Sequence, residues 1–166
     1  MYMFLNAILL SFIPFLLLGF LSVEILLRQP EHPLHRLTMM LIGSLALIFL
    51  CEFLTQSLDY HIVRAFNPDA TYIFSLLAMS LLVYFFTVLS RIKIPRWLLH
   101  LLAAPPWIAI LFMLGFPDYF YLGLEQGVHW RNEVHNKAFD TLFLCIAGYS
   151  LSYLLAMMIF GYKKLK

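Results

Sequence analysis

Five long apolar runs separated by short polar stretches account for most of the 166 residues. They cover about residues 3–27, 37–58, 71–90, 97–116 and 140–161. Each is close to the roughly 20 residues that a helix needs to cross about 30 Å of hydrocarbon. The pattern predicts an all-α fold, a polytopic membrane bundle of five transmembrane helices forming a single transmembrane domain over residues 1–166. The connecting stretches leave no room within these residues for a second, water-soluble domain.

Interruptions inside the runs refine this picture. Pro14 and Gly19 lie within the first run and predict a mid-helix kink, with the freed carbonyl satisfied by neighbouring groups. Pro105-Pro106 in the fourth run removes two backbone donors, which predicts a bend or a break that could act as a conformational hinge. Asn67-Pro68-Asp69 reads as a turn leading into the third helix, with Asp69 or Thr71 as its cap. The third run carries no charge, and its Ser75, Ala78, Ser80 and Thr87 suit a face turned toward a neighbouring helix.

Charge then orients the bundle. Arg28, Arg36, Arg91, Lys93, Arg96, Lys163, Lys164 and Lys166 fall at one side of the predicted membrane, with only Glu24 and Glu31 as acids. The other side holds Arg64, Arg131 and Lys137 against Glu52, Asp59, Asp69, Asp118, Glu125, Glu133 and Asp140. Loops rich in Lys and Arg stay in the cytoplasm. The amino terminus is therefore expected outside and the carboxyl terminus inside. Glu24 is placed to reach the interface or Arg28, and Trp97 stands where an interfacial anchor belongs.

Composition agrees, with 63% hydrophobic and 12% charged residues, against about 45–50% and 25% in soluble domains. A net charge of +2 gives no reason to invoke nucleic acid. The first run lacks a positively charged n-region and exceeds a signal-peptide core, so it reads as an uncleaved span. Cys51 and Cys145 read as small core residues rather than as a disulfide, and no zinc spacing is present.

The candidate chemistry is sparse. Glu52 is a carboxylate within a span, a costly placement unless it is paired, hydrated or protonated. It could hold a proton, a cation or an amine-bearing ligand, or be satisfied by Thr55 or Gln56. The fourth loop, PDYFYLGLEQGVHWRNEVHNKAFD, holds His129, His135, Glu125, Glu133 and Asp140, with Asp59 and His61 of the second loop near in topology. Spacing of this kind is not diagnostic of a metal, and the expectation is no metal and no cofactor. The loop is expected to be a solvated segment with a short interfacial helix. Phe116, Tyr119, Phe120, Tyr121 and Trp130 there suit an aromatic belt, or a lid with aromatic walls over a small ligand. Glu125 and His129 are four apart and could share a helical face, which Gly127 between them weakens. His32 and His35 could meet anionic head groups, and His100 has no obvious partner. Phosphate-loop, GxSxG, HExxH and kinase motifs are absent, so an enzyme is not favoured.

The stretches YIFSLLAMSLLVYFFTVLSRIKIPRWLLHLLAAPPWIAILFML and VHWRNEVHNKAFDTLFLCIAGYSLSYLLAMMIF resemble the amino-terminal seven-helix membrane sensor region of bacterial histidine kinases and related signalling proteins. The likeness lies in a Leu/Phe-rich span, a basic turn, a Pro-containing span, and an outer loop bearing Trp and His. Five spans rather than seven are predicted here, and no output module accompanies them. The resemblance implies a bacterial cell-membrane protein in signal transduction, acting through a separate output protein or membrane partner, and carries over no catalytic residue.

The reading that follows is a multi-pass sensor or receptor-like module of the cell membrane. It would read a small or lipophilic ligand, or the bilayer state, at its outer half. Glu52, Tyr121, His129, Trp130 and His135 are its candidate ligand-binding residues, and Pro105 and Pro106 its conformational bend. The alternatives are a small transporter or channel subunit using Glu52, and a structural subunit of a larger membrane complex.

Overall fold

The computed structural model describes residues 2–28, 32–57, 70–116, 119, 121–126 and 131–165, with the backbone alone for residues 2–4, 121–126, 131–135 and 161–165. Helix α1 (Tyr2–Ala7) passes through a π-helical turn at Ile8–Phe12 into α2 (Ile13–Arg28). Then come α3 (Pro33–Ser57), α4 (Ala70–Leu89) and α5 (Arg96–Gly115). Strands β1 (Tyr121–Gln126) and β2 (Arg131–His135) lead into α6 (Lys137–Leu165). Five helices are long and apolar enough to cross a membrane: Leu5–Arg28, Pro33–Ser57, Ala70–Leu89, Arg96–Gly115 and Lys137–Phe160. These match the five apolar runs.

The differences in detail have physical causes. Helix α3 begins at Pro33, before the apolar run, because proline at the first helical position brings a preset φ and lacks a donor that would be unpaired there anyway. Helix α6 begins at Lys137 because Asn136 caps it: its side-chain oxygen accepts from the Ala138 N–H at 3.1 Å. Thr71 is inside α4 and is not its cap, while Asp69 lies outside the described residues. The first span accommodates Pro14 through the π-turn, in which the Ile13 N–H reaches the Ile8 carbonyl five residues back.

The bundle is organised around α4, which packs against α3, α5 and α6, while α2 packs on α3. A charged residue could not occupy such a position without a partner, and α4 has none. At the Ala70 end, Leu76 joins Ala109, Ile110 and Met113 of α5 and Phe139 and Ile146 of α6 in one apolar cluster. Tyr72 sets its ring edge against both Phe139 and Phe143, with centroids at 5.0 and 5.2 Å. Helices α2 and α3 cross where Ser22 Oγ donates to the Met39 carbonyl at 3.0 Å. A Cβ added to Gly43 would stand 3.4 Å from that same oxygen, so the crossing is already tight.

The distribution of side chains inverts that of a soluble protein. Ala46, Ala78, Ala103, Ala109, Ser11, Ser22, Ser44, Ser80, Ser150, Thr55 and Thr87 are buried. Large apolar residues face outward: Leu27 is 76% exposed, Phe20 72% and Leu144 70%. Water would penalise that surface, and lipid would not. Between membrane helices the gain comes from close backbone approach and hydroxyl bonds, which is what the small buried residues allow.

Candidate functional site

The fourth-loop sequence forms two antiparallel strands, not the solvated loop with a short helix that was expected. The signal was period-two alternation in Leu122 and Leu124, with the two runs separated by four residues that begin with Gly127. Tyr121 is the backbone partner of His135, Leu124 of Glu133 and Glu125 of Asn132, with an irregularity between Tyr121 and Gly123. Two candidate ligand residues, Tyr121 and His135, are thus brought into register. Glu125 is on a strand, so the shared helical face with His129 does not exist. His129 and Trp130 lie outside the described residues, as do Asp59 and His61.

Glu52 is on α3, about a turn and a half before its end at Ser57. It is half-buried, and its carboxylate shares a hydrogen bond with the Gln56 side chain one turn on. That is the local satisfaction open to it from the sequence. Strand β2 touches α3, so the hairpin and the Glu52 helix are neighbours. Phe116 and Tyr119 at this end are exposed, which suits an aromatic belt. Cys51 is half-buried, but Cys145 is exposed rather than a core residue, and the two do not form a disulfide. Among the described residues, no three His, Cys, Asp or Glu side chains are grouped so as to hold a metal ion.

Of the bend or break expected at Pro105 and Pro106, the break does not occur: helix α5 runs unbroken through both. Pro106 cannot donate to the Leu102 carbonyl four residues back. The Tyr149 hydroxyl of α6 donates to that carbonyl instead, at 2.8 Å. A neighbouring helix thus supplies what the proline removed.

This contact is one of several that sequence reasoning missed, all in the half of the bundle that carries Arg91, Lys93 and Arg96. Ser80 donates to the Ala103 carbonyl at 3.4 Å, Thr87 and Tyr153 share a hydroxyl bond at 2.7 Å, and Ser90 donates to the Met157 carbonyl at 3.2 Å. Tyr84 and His100 Nδ1 stand 2.8 Å apart, which gives His100 the partner that was not apparent. Tyr149 and Tyr153 are four apart and so share a face of α6; that spacing, beside a proline pair needing a donor, was the available clue. The bundle thus has an apolar, aromatic half near the hairpin and a hydroxyl-linked half near the basic turns. At the basic end Glu24 and Arg28 form the expected ion pair.

No known protein family, curated protein or solved structure matches the chain.

Proposed function

We propose that this protein is a sensor module of the cell membrane, with its amino terminus outside and its carboxyl terminus in the cytoplasm. It reads a small or lipophilic ligand, or the state of the bilayer, at the hairpin end and passes the change to a partner or output protein at the basic end. The observation that carries this reading is the joint between hairpin and last helix. Strand β2 ends at His135, Asn136 caps the next helix, and α6 continues for 29 residues to Leu165. A one-residue joint gives the strand little freedom to move without α6.

The rest of the mechanism follows from that linkage. Strand β2 also touches α3, so a ligand held between Tyr121, His129, Trp130, His135 and Glu52 would press on both helices. A turn or shift of α6 would exchange the hydroxyl bonds of Tyr149 and Tyr153 at the far end. Interfaces of this kind switch between discrete packings rather than deform continuously. Pro105 and Pro106, next to the Leu102 carbonyl, are where α5 would accommodate the change.

The test is a thermal-shift screen of the purified protein against fatty acids, aromatic amines and short peptides. The expected result is stabilisation by at least one class, lost in both Glu52→Gln and His129→Ala. A screen without stabilisation, or stabilisation untouched by either substitution, removes the hairpin end as the reading site. The transporter reading predicts instead that Glu52→Gln abolishes flux in liposomes.

A further inference from the structure

We propose that α6 has a second register against α4, advanced by three residues toward its own carboxyl end, in which Ser150 supplies a donor that is now unused. The proposal rests on the reading of α6 as the element that carries the signal. Helices α4 and α6 run parallel, since Tyr72 meets Phe139, Thr87 meets Tyr153 and Ser90 meets Met157. Ile146, Ser150, Tyr153 and Met157 recur at intervals of four, three and four, so they share the face of α6 that meets α4. Ser150 is 6% exposed, and its Oγ has no hydrogen-bond partner. Thr38, Ser44, Ser75, Thr141 and Ser152 each donate to the carbonyl four residues back, and Ser150 does not. A buried hydroxyl left unpaired bears the full cost of losing water.

The neighbouring hydroxyls show what the unused donor fits. Thr87 directs its hydrogen to the Val83 carbonyl at 2.7 Å, so Tyr153 is the donor in the bond between Thr87 and Tyr153. Ser90 directs its hydrogen to the carbonyls of Phe86, at 2.6 Å, and Met157, at 3.2 Å. Thr87 and Ser90 therefore present acceptor oxygens three residues apart, while Ser150 and Tyr153 are donors three residues apart. The present register matches only Tyr153 with Thr87. An advance of three residues, about 4.5 Å, matches both donors, Ser150 with Thr87 and Tyr153 with Ser90. The opposite shift brings Ser150 to Ser80 but Tyr153 to Val83, which has no side-chain acceptor. The advance also has a cost, because it carries Tyr149 away from the Leu102 carbonyl that Pro106 cannot serve. Each register thus leaves one polar group unpaired, which is the balance that a two-state packing needs. At 29 residues, α6 is about 44 Å long and still crosses about 30 Å of hydrocarbon after the move.

Disulfide trapping of the full chain in membranes, with Cys51 and Cys145 replaced by alanine, tests the proposal without a ligand. Ser90→Cys with Met157→Cys reports the present register, because the Ser90 hydroxyl already reaches the Met157 carbonyl. Ser90→Cys with Tyr153→Cys reports the advanced one, since Tyr153 is now about 6 Å short of that position along the helix. The first pair should cross-link fast and the second more slowly. In the second pair, Pro106→Ala restores a donor to the Leu102 carbonyl and should speed cross-linking about fivefold. Ser150→Ala should slow it about fivefold, the factor that one such hydrogen bond controls. Both substitutions should leave the first pair cross-linking fast, which shows that the fold is kept. A second pair that never cross-links, even with Pro106→Ala, overturns the proposal, as does a rate indifferent to Ser150→Ala or a first pair that fails to cross-link. Stabilisation by a ligand in the thermal-shift screen, with no second cross-link, defeats the register alone. A second cross-link that responds as expected, with no stabilising ligand, upholds the register and defeats the ligand reading alone.

Discussion

The Tyr149 hydroxyl and the Leu102 carbonyl, 2.8 Å apart, join two helices at the point where Pro106 leaves a backbone acceptor without its own donor. The bond is a structural consequence of the proline, and that makes it testable by restoring the missing N–H. Tyr149→Phe should destabilise the protein by about 1 kcal/mol, a usual value for a hydrogen bond between membrane helices. In a Pro106→Ala background the same substitution should cost less than about 0.5 kcal/mol, because the alanine N–H can now serve the carbonyl. Unfolding titrations of the four proteins give the coupling, and additive losses would show that the hydroxyl does not substitute for the lost donor.

Arg91 ends α4 in a left-handed conformation, at φ 52°. Its N–H reaches back to the Val88 carbonyl at 3.2 Å, closing the last turn. Arg91→Gly should leave stability unchanged or raise it by up to about 1 kcal/mol in lipid-free detergent, since glycine takes this conformation without a Cβ penalty. Arg91→Val should lower it by more than that, because a branched Cβ is strained there. Melting temperatures in the absence of added lipid measure both.

The register of the hairpin can be read chemically. Tyr121 and His135 are backbone partners, and partners in an antiparallel pair have Cα atoms about 4.5–5.5 Å apart, within disulfide reach. With Cys51 and Cys145 replaced by alanine, Tyr121→Cys with His135→Cys should cross-link under mild oxidation. Leu124→Cys with His135→Cys should not, because Leu124 is opposite Glu133. Gel mobility before and after reduction distinguishes the two.

Orientation is tested by labelling. In the same cysteine-free background, Gln126→Cys should react with an impermeant maleimide on intact cells, and Lys93→Cys only after permeabilisation. The reverse result would place the hairpin in the cytoplasm and move the proposed reading site with it.

The five helices were legible because hydropathy over twenty residues is a strong signal, and the burial of Ala78, Ser80 and Thr87 followed from their small size on a charge-free helix. Asn136 was less legible: a cap lies outside the apolar run it starts, so hydropathy alone places the helix three residues late. The hairpin was missed because its strands are short and its aromatic residues read equally well as a belt. The His100 contact was not legible, and the Tyr149 contact had only the Tyr149–Tyr153 spacing beside a proline pair as its clue. Each depends on which helices are neighbours, and α4 at the centre of the bundle is a fact of packing that no single run contains.

The π-helical turn at Ile8–Phe12 carries one more residue than an α-helix of the same rise would need, and Pro14 follows it immediately. The two are matched in local geometry. Deleting one residue from the turn would bring a regular helix into collision with the proline ring, while replacing the proline would leave an insertion with nothing to relieve. Variation at this place should therefore be concerted, a deletion and a proline replacement arising together, so that Ala7 and Ser11 keep the buried face they now share.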